Sequence, residues 1–191
     1  MSKNIAVFAS GNGNGYEAIL DAIKASKLDA KIVAVVSNNI DANILNKARD
    51  EKIPTYVVNK TNTKDDQFDD KLLKILNENN TDYIFLSGYM KKISKTLINN
   101  YPQKIINCHP SLLPKHGGKG MYGRFVHQAV IDNKESKTGV TIHYVDEIYD
   151  NGKIILQKSI EVNEDDNVES LEKRVKLFEK ELIVEALQQI F

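Results

Sequence analysis

Ile5-Ala-Val-Phe-Ala-Ser-Gly-Asn-Gly-Asn-Gly-Tyr-Glu-Ala-Ile-Leu-Asp-Ala-Ile-Lys24 changes period part-way along, and that change decides the fold. Ile5 to Ala9 is a short unbroken apolar run with β-branched residues, which reads as a strand buried on both faces. Gly11, Gly13 and Gly15 interrupt it. Beyond them Ala18, Ile19, Ala22 and Ile23 recur at helical spacing with charges between them. A strand, a glycine turn and a helix in that order open a βαβ unit.

The same alternation continues outward. Lys31-Ile-Val-Ala-Val-Val-Ser37 is a second buried strand, followed by a helix to about Glu51 that Asp41 is expected to cap. Residues 53–58 form a third strand. Residues 64–77 form an amphipathic helix with Phe68, Leu72, Leu73 and Leu76 on its apolar face, and Tyr83-Ile-Phe-Leu-Ser-Gly88 is a fourth strand. Four strand–helix alternations without a hairpin signal predict right-handed crossovers and a doubly wound, mostly parallel α/β sheet of the Rossmann-like kind. Lys104-Ile-Ile-Asn-Cys-His109 adds a strand closed by Pro110, and a helix is expected over 125–133. Residues 138–145 and 153–162 flank a polar turn, which predicts an antiparallel hairpin at the sheet edge near the C-terminus. An amphipathic helix over 168–189 closes the chain. No repeat or linker interrupts the pattern, so residues 1–191 are expected to form one domain.

Composition limits the function classes. Twenty-six Lys and Arg balance 26 Asp and Glu, so there is no electrostatic footprint for nucleic acid or an anionic membrane. The apolar run at Ile5 is far too short to cross a bilayer, and Met1-Ser2-Lys3-Asn4 leads straight into it without a signal-peptide pattern. A single cysteine, Cys108, excludes an internal disulfide and fits a reducing compartment. The expectation is a neutral cytoplasmic domain acting on small molecules. Nothing in these features fixes an oligomeric state.

Three segments carry chemistry. In open α/β sheets ligands bind beyond the carboxyl ends of the strands. The glycine loop after the first strand therefore offers backbone N–H groups and a helix dipole to an anion. It lacks the Gly-x-Gly-x-x-Gly spacing of dinucleotide sites and the Gly-Lys-Ser/Thr ending of triphosphate loops. In Asn107-Cys108-His109-Pro110-Ser111, strand alternation puts Asn107 and His109 on one face. An amide donor beside an imidazole suits acyl transfer, with one group for an oxyanion and one for protons. Cys108 looks the other way, where no base is expected, and reads as a small core residue. The turn Asp146-Glu147-Ile148-Tyr149-Asp150-Asn151-Gly152 supplies acids that could orient and charge an imidazole, though composition does not say which. His109, His116, His127 and His143 have no ligand spacing, so no metal is expected; His143 reads as a satisfied strand residue.

Taken in order, these segments resemble the folate-dependent phosphoribosylglycinamide formyltransferase family. The resemblance runs nearly end to end through Ser10-Gly-Asn-Gly13, Ser87-Gly-Tyr-Met90, Asn107-Cys-His-Pro-Ser-Leu-Leu-Pro114, Thr141-Ile-His-Tyr-Val145, Asp150-Asn-Gly152 and Arg174-Val-Lys-Leu-Phe-Glu179. It implies direct formyl transfer from 10-formyltetrahydrofolate, the co-substrate, to the amine of glycinamide ribonucleotide. Asn107 would bind the oxyanion, His109 would act as a charged imidazolium, and Asp150 would orient it. Asn12, Gly13, Asn14 and Gly15 would hold the ribonucleotide phosphate, with Glu179 at the amine and Pro110 alongside. Met90, Lys91, Lys92, Ile93 and Asp146, together with Asn107 and Asp150, would line the folate pocket. A cis Leu113–Pro114 bond is implied too.

There are departures from the family. Gly15 stands where it usually has asparagine, Lys92 replaces a common aliphatic residue, and residues 116–124 are glycine-rich. No clear equivalent exists for a folate-contacting arginine, Lys64 being the nearest basic residue. Methionyl-tRNA formyltransferases share the Asn-x-His-Pro-Ser segment but carry a further RNA-binding domain. Formyltetrahydrofolate hydrolases, which use water as acceptor, carry an extra N-terminal one. A non-catalytic folate- or nucleotide-binding module is the alternative of a different class.

Overall fold

Ile5, Val7 and Ala9 turn to one side of the first strand while Ala6 and Phe8 turn to the other, and all five are fully buried. A strand apolar on both faces needs helices above and below it, and the chain supplies them. The computed structural model describes residues 2–191. Its elements are β1 (Lys3–Phe8), α1 (Asn14–Lys24), β2 (Ala30–Ser37), α2 (Asn43–Asp50), β3 (Thr55–Val57), α3 (Phe68–Glu78), β4 (Tyr83–Leu86), α4 (Lys95–Asn100), β5 (Ile105–His109), α5 (Arg124–Asp132), β6 (Lys137–Tyr144), β7 (Ile154–Glu161) and α6 (Val168–Ile190). No helix among the described residues is long and apolar enough to cross a membrane.

Seven strands form one sheet in the order β3-β2-β1-β4-β5-β6-β7. Pairing is parallel from β3 through β5 and antiparallel at β5–β6 and β6–β7. The expected doubly wound sheet with an edge hairpin is therefore what forms. One face packs Ile19, Ile44, Val130, Leu182 and Leu187 from α1, α2, α5 and α6. The other packs Leu72, Ile75, Leu76 and Leu97 from α3 and α4.

Strand order reverses between β1 and β4, and a crevice opens there beyond their carboxyl ends. Ser10 closes its base. Its N–H donates to the Gly88 carbonyl at 3.1 Å, and its hydroxyl accepts from the Met90 N–H at 2.8 Å and donates to Asn38.

Local expectations differ from the structure in three places. Asp41 does not cap α2: Ala42 is the N-cap residue, and the Ile44 N–H donates to the Gly11 carbonyl at 3.1 Å. The glycine loop thus caps the neighbouring helix. The expected helix over 64–77 begins as a 3-10 turn, Asp65–Gln67, and becomes α-helical at Phe68. α4 has no counterpart in the apolar pattern; it is six residues long, with the Ser94 hydroxyl accepting from the Leu97 N–H.

Candidate active site

Gly13 begins α1 in the left-handed region at φ 67°, and a side chain there would also overlap Ile44. Only glycine satisfies both conditions. Lys47 of α2 donates to the Asn12 carbonyl at 3.0 Å and pairs with Glu17, which also accepts from Lys180 of α6 at 3.0 Å. Lysines from two helices thereby fix the α1 start against its neighbours. The first N–H groups of a helix have no intrahelical acceptor, so the fixed loop can receive an anion.

β5 delivers Asn107, Cys108 and His109 to the crevice. Next to it, β6 pairs Asn107 with His143 and His109 with Thr141. His143 Nδ1 donates to the Tyr144 carbonyl at 2.8 Å, which leaves Nε2 to accept an N–H of the Asn107 amide at 3.1 Å. The contact turns the amide nitrogen of Asn107 toward the site and leaves its second N–H free. His143 is more than a satisfied strand residue. It orients the donor.

His109 is almost wholly buried, and its Nε2–H donates to the His116 carbonyl at 2.8 Å. A carbonyl can only accept, so the exchangeable lone pair sits on Nδ1, 3.5 Å from Asp150 Oδ2. Asp150 has φ 55° and accepts from the Gly118 N–H at 2.8 Å; its other oxygen lies 3.7 Å from His143 Nε2. The acid left unassigned by composition is therefore the one next to both imidazoles.

Electrostatics bears on one expectation. Burial lowers the pKa of His109, and although Asp150 and the His116 carbonyl oppose this, the net direction is below an ordinary histidine. That direction favours the neutral ring, whereas the resemblance implies the charged imidazolium. Burial acts to raise the Asp150 carboxyl, but the His143 and His109 imidazoles beside it and the Gly118 N–H hold it below the usual carboxylate value.

The loop over 110–123 is not loose. Thr141, fully buried on β6, donates to the Ser111 carbonyl at 2.7 Å and accepts from the Leu113 N–H at 3.1 Å. Gln157 of β7 donates to the Leu113 carbonyl and to the Thr141 hydroxyl. The Leu113–Pro114 bond is cis, as the resemblance implied. Further along, Glu135 pairs with both Lys115 and His116, fixing the residue whose carbonyl holds His109.

Cys108 does share its side with a base. The Glu179 carboxylate of α6 lies against the thiol; burial first, and Glu179 second, push the thiol well above its usual value. A raised thiol is no nucleophile, so the conclusion stands while its reason changes. Burial pushes Glu179 itself up to about 7, with Lys176 and the thiol pulling against it.

The glycine loop, Cys108, His143 and Gly118 line one cavity of about 640 Å³. Asn12, Gly13, Asn14 and Gly15 line it, as do Met90, Lys91, Lys92, Ile93 and Asp146. Asn107, His109, Pro110, Asp150 and Glu179 line the same cavity. Every residue expected at the site is on this wall; Lys64, left unassigned, is not. Lys92 sits 5.6 Å from the Tyr149 ring centroid and Lys95 pairs with Glu147, linking the segment after β4 to the one after β6. Sequence reasoning missed Ser87, His127, His143 and Lys176, which also line it. The helical register of Lys176, one turn before Glu179, could have found that lysine. Ser87 and His143 lie in segments that carry the resemblance but were given no role there, and His127 carries no motif.

Residues 3–187 match the formyl transferase family. The chain belongs to that family. Among curated relatives it is 36% identical, over 98% of its length, to the chloroplastic phosphoribosylglycinamide formyltransferase of Arabidopsis thaliana, and it spans 65% of that protein. It is 35% identical to the phosphoribosylglycinamide formyltransferase of Bacillus subtilis, covering 98% of this chain and 94% of that protein. The solved glycinamide ribonucleotide transformylase 1 of Geobacillus kaustophilus superposes with a TM-score of 0.91 at 35% identity, covering 100% and 99% of the two chains.

Proposed function

We propose that this family member transfers the formyl group of 10-formyltetrahydrofolate to the amine of glycinamide ribonucleotide, a step of purine synthesis, with residues 1–191 acting as one formyl transferase domain. The observation that carries the reading is the meeting of Asn107, His109 and Asp150, with His109 Nδ1 3.5 Å from the carboxylate, inside a cavity that the glycine loop also lines.

The substrate amine attacks the formyl carbon. The C=O electrons move to oxygen, then return to re-form the carbonyl as the bond from carbon to the folate N10 breaks and that nitrogen takes a proton. Asn107 donates its free N–H to the oxyanion. His109, neutral at rest, accepts the amine's proton on Nδ1 beside Asp150, and the resulting ion pair stabilises the tetrahedral intermediate. It then returns the proton toward the departing nitrogen. The start of α1 and Lys176 hold the phosphate, Glu179 and Pro110 meet the glycinamide, and Met90–Ile93 with residues 146–150 flank the pterin. Removing one oxyanion donor from a site of this kind costs on the order of 10²–10³ in turnover.

Purified protein mixed with glycinamide ribonucleotide and 10-formyltetrahydrofolate, or its dideaza analogue, tests the proposal. Deformylated folate should form only when the amine is present. Formate release without amine would make the protein a hydrolase, and folate binding without turnover would make it a binding module.

A further inference from the structure

Ser87 follows β4 and stands at the start of α1, where its hydroxyl accepts the Gly15 N–H at 2.9 Å. That N–H is among the first of the helix, the set that would otherwise face a bound phosphate. The family usually places asparagine at position 15, and here there is no room for one. A Cβ on Gly15 would come within 2.6 Å of Phe85 Cε1 and 3.1 Å of the Ser87 oxygen. Ser87 therefore occupies from the β4 side the space next to the loop, and glycine is the residue that lets it in.

A hydroxyl has one proton to give as well as lone pairs to receive. Ser87 is nine-tenths buried and lines the cavity, and among the described residues its own proton has no acceptor. An O–H whose oxygen already accepts a hydrogen bond is polarised into a better donor. Resting on the functional reading above, we propose that the Ser87 hydroxyl is a phosphoryl contact of the ribonucleotide, relaying the Gly15 N–H to a phosphate oxygen and standing in for a side chain at position 15.

The test compares wild type, Ser87→Ala and Ser87→Cys. Cysteine keeps the volume and offers only a weak donor, so it separates hydrogen bonding from packing. The measurements are the KM for glycinamide ribonucleotide and for the folate, kcat, the Kd for ribose 5-phosphate, and the melting temperature. Both variants should raise the ribonucleotide KM and the ribose 5-phosphate Kd about tenfold, as loss of one hydrogen bond to a charged group does. Values of kcat and folate KM should stay within about twofold. If the melting temperature falls while KM and Kd match wild type, Ser87 only caps the helix and the proposal is wrong. A tighter KM, from a freed Gly15 N–H, overturns it equally. Wild-type protein that binds ribose 5-phosphate but does not turn over the ribonucleotide would instead count against the function. The Ser87 comparison would still read out through the Kd.

Discussion

His109 has one nitrogen left for proton exchange, because the His116 carbonyl holds the other. This makes its pH behaviour predictable. Burial sets its pKa below an ordinary histidine, so the reactive neutral form exists above that value. kcat/KM should rise with pH through an inflection lying below about 6.5 and then level. Asp150→Asn removes the group that raises the ring, so the inflection should move lower while turnover falls about 10²-fold or more. A profile that falls as pH rises through this range would mean that the imidazolium is the resting active form. His109→Asn should keep the fold and ligand binding while losing most turnover, and near-native turnover would remove it from the mechanism.

Glu179 gives a second prediction of the same kind with the opposite sign of stability. Its carboxyl is raised from 4.5 to about 7, so the folded state binds its proton more tightly than the unfolded state does. Stability from this group is present at low pH and is lost as pH climbs from the unfolded value to the folded one. Glu179→Gln should therefore leave stability at pH 5 nearly unchanged. At pH 8 it should raise stability by about 1–3 kcal/mol, discounted from the full shift because the side chain is partly open to the cavity. Turnover should fall, since the acid that meets the amine is gone. Urea unfolding at the two pH values decides it; equal gains at both would mean that packing, not charge, is responsible.

The segment from Pro110 to Gly123 shows why elements hide from sequence. No period or turn motif marks it, and its order comes from Thr141 and Gln157, side chains of the edge hairpin that reach back to the backbone at Ser111 and Leu113. Such bonds, spanning 28 to 44 residues, leave no local signal. α4 escaped for a related reason, being too short to show a repeat. By contrast the strands of the parallel sheet were legible because they are apolar on both faces. Asn107 and His109 were legible because one strand carries both. The fixing of His109 by His116 and of Asn107 by His143 was not, since each depends on how two elements meet.

Thr141→Val tests that linkage at constant shape. It strands the Leu113 N–H and the Ser111 carbonyl in a buried place, which costs about 1–3 kcal/mol. Because the freed loop carries the His116 carbonyl, kcat should also fall severalfold with little change in either KM. A loss of stability with full turnover would show that the loop keeps its catalytic shape without the hydroxyl.

The cavity exists only where the two halves of the sheet diverge, with walls from the turns after β1, β4 and β5, the residues following β6, and α6. No stretch of unfolded chain reproduces that convergence, so a ligand that fits it binds the folded state alone. Under that condition ligand at 100 times its Kd stabilises the protein by about 2.7 kcal/mol. For a chain of this size the melting temperature should rise by roughly 5–11 °C. Glycinamide ribonucleotide should approach this shift, and the dideaza folate should add to it, because the proposed transfer needs both in the cavity at once. Inorganic phosphate should give only a small part of the ribonucleotide effect, since it engages the α1 end without Glu179 or Pro110. If bare phosphate produced the whole shift, the glycinamide portion would contribute nothing to recognition. If the folate instead cancelled the ribonucleotide shift, the two would compete for the same end, and a transfer between them could not occur in this cavity.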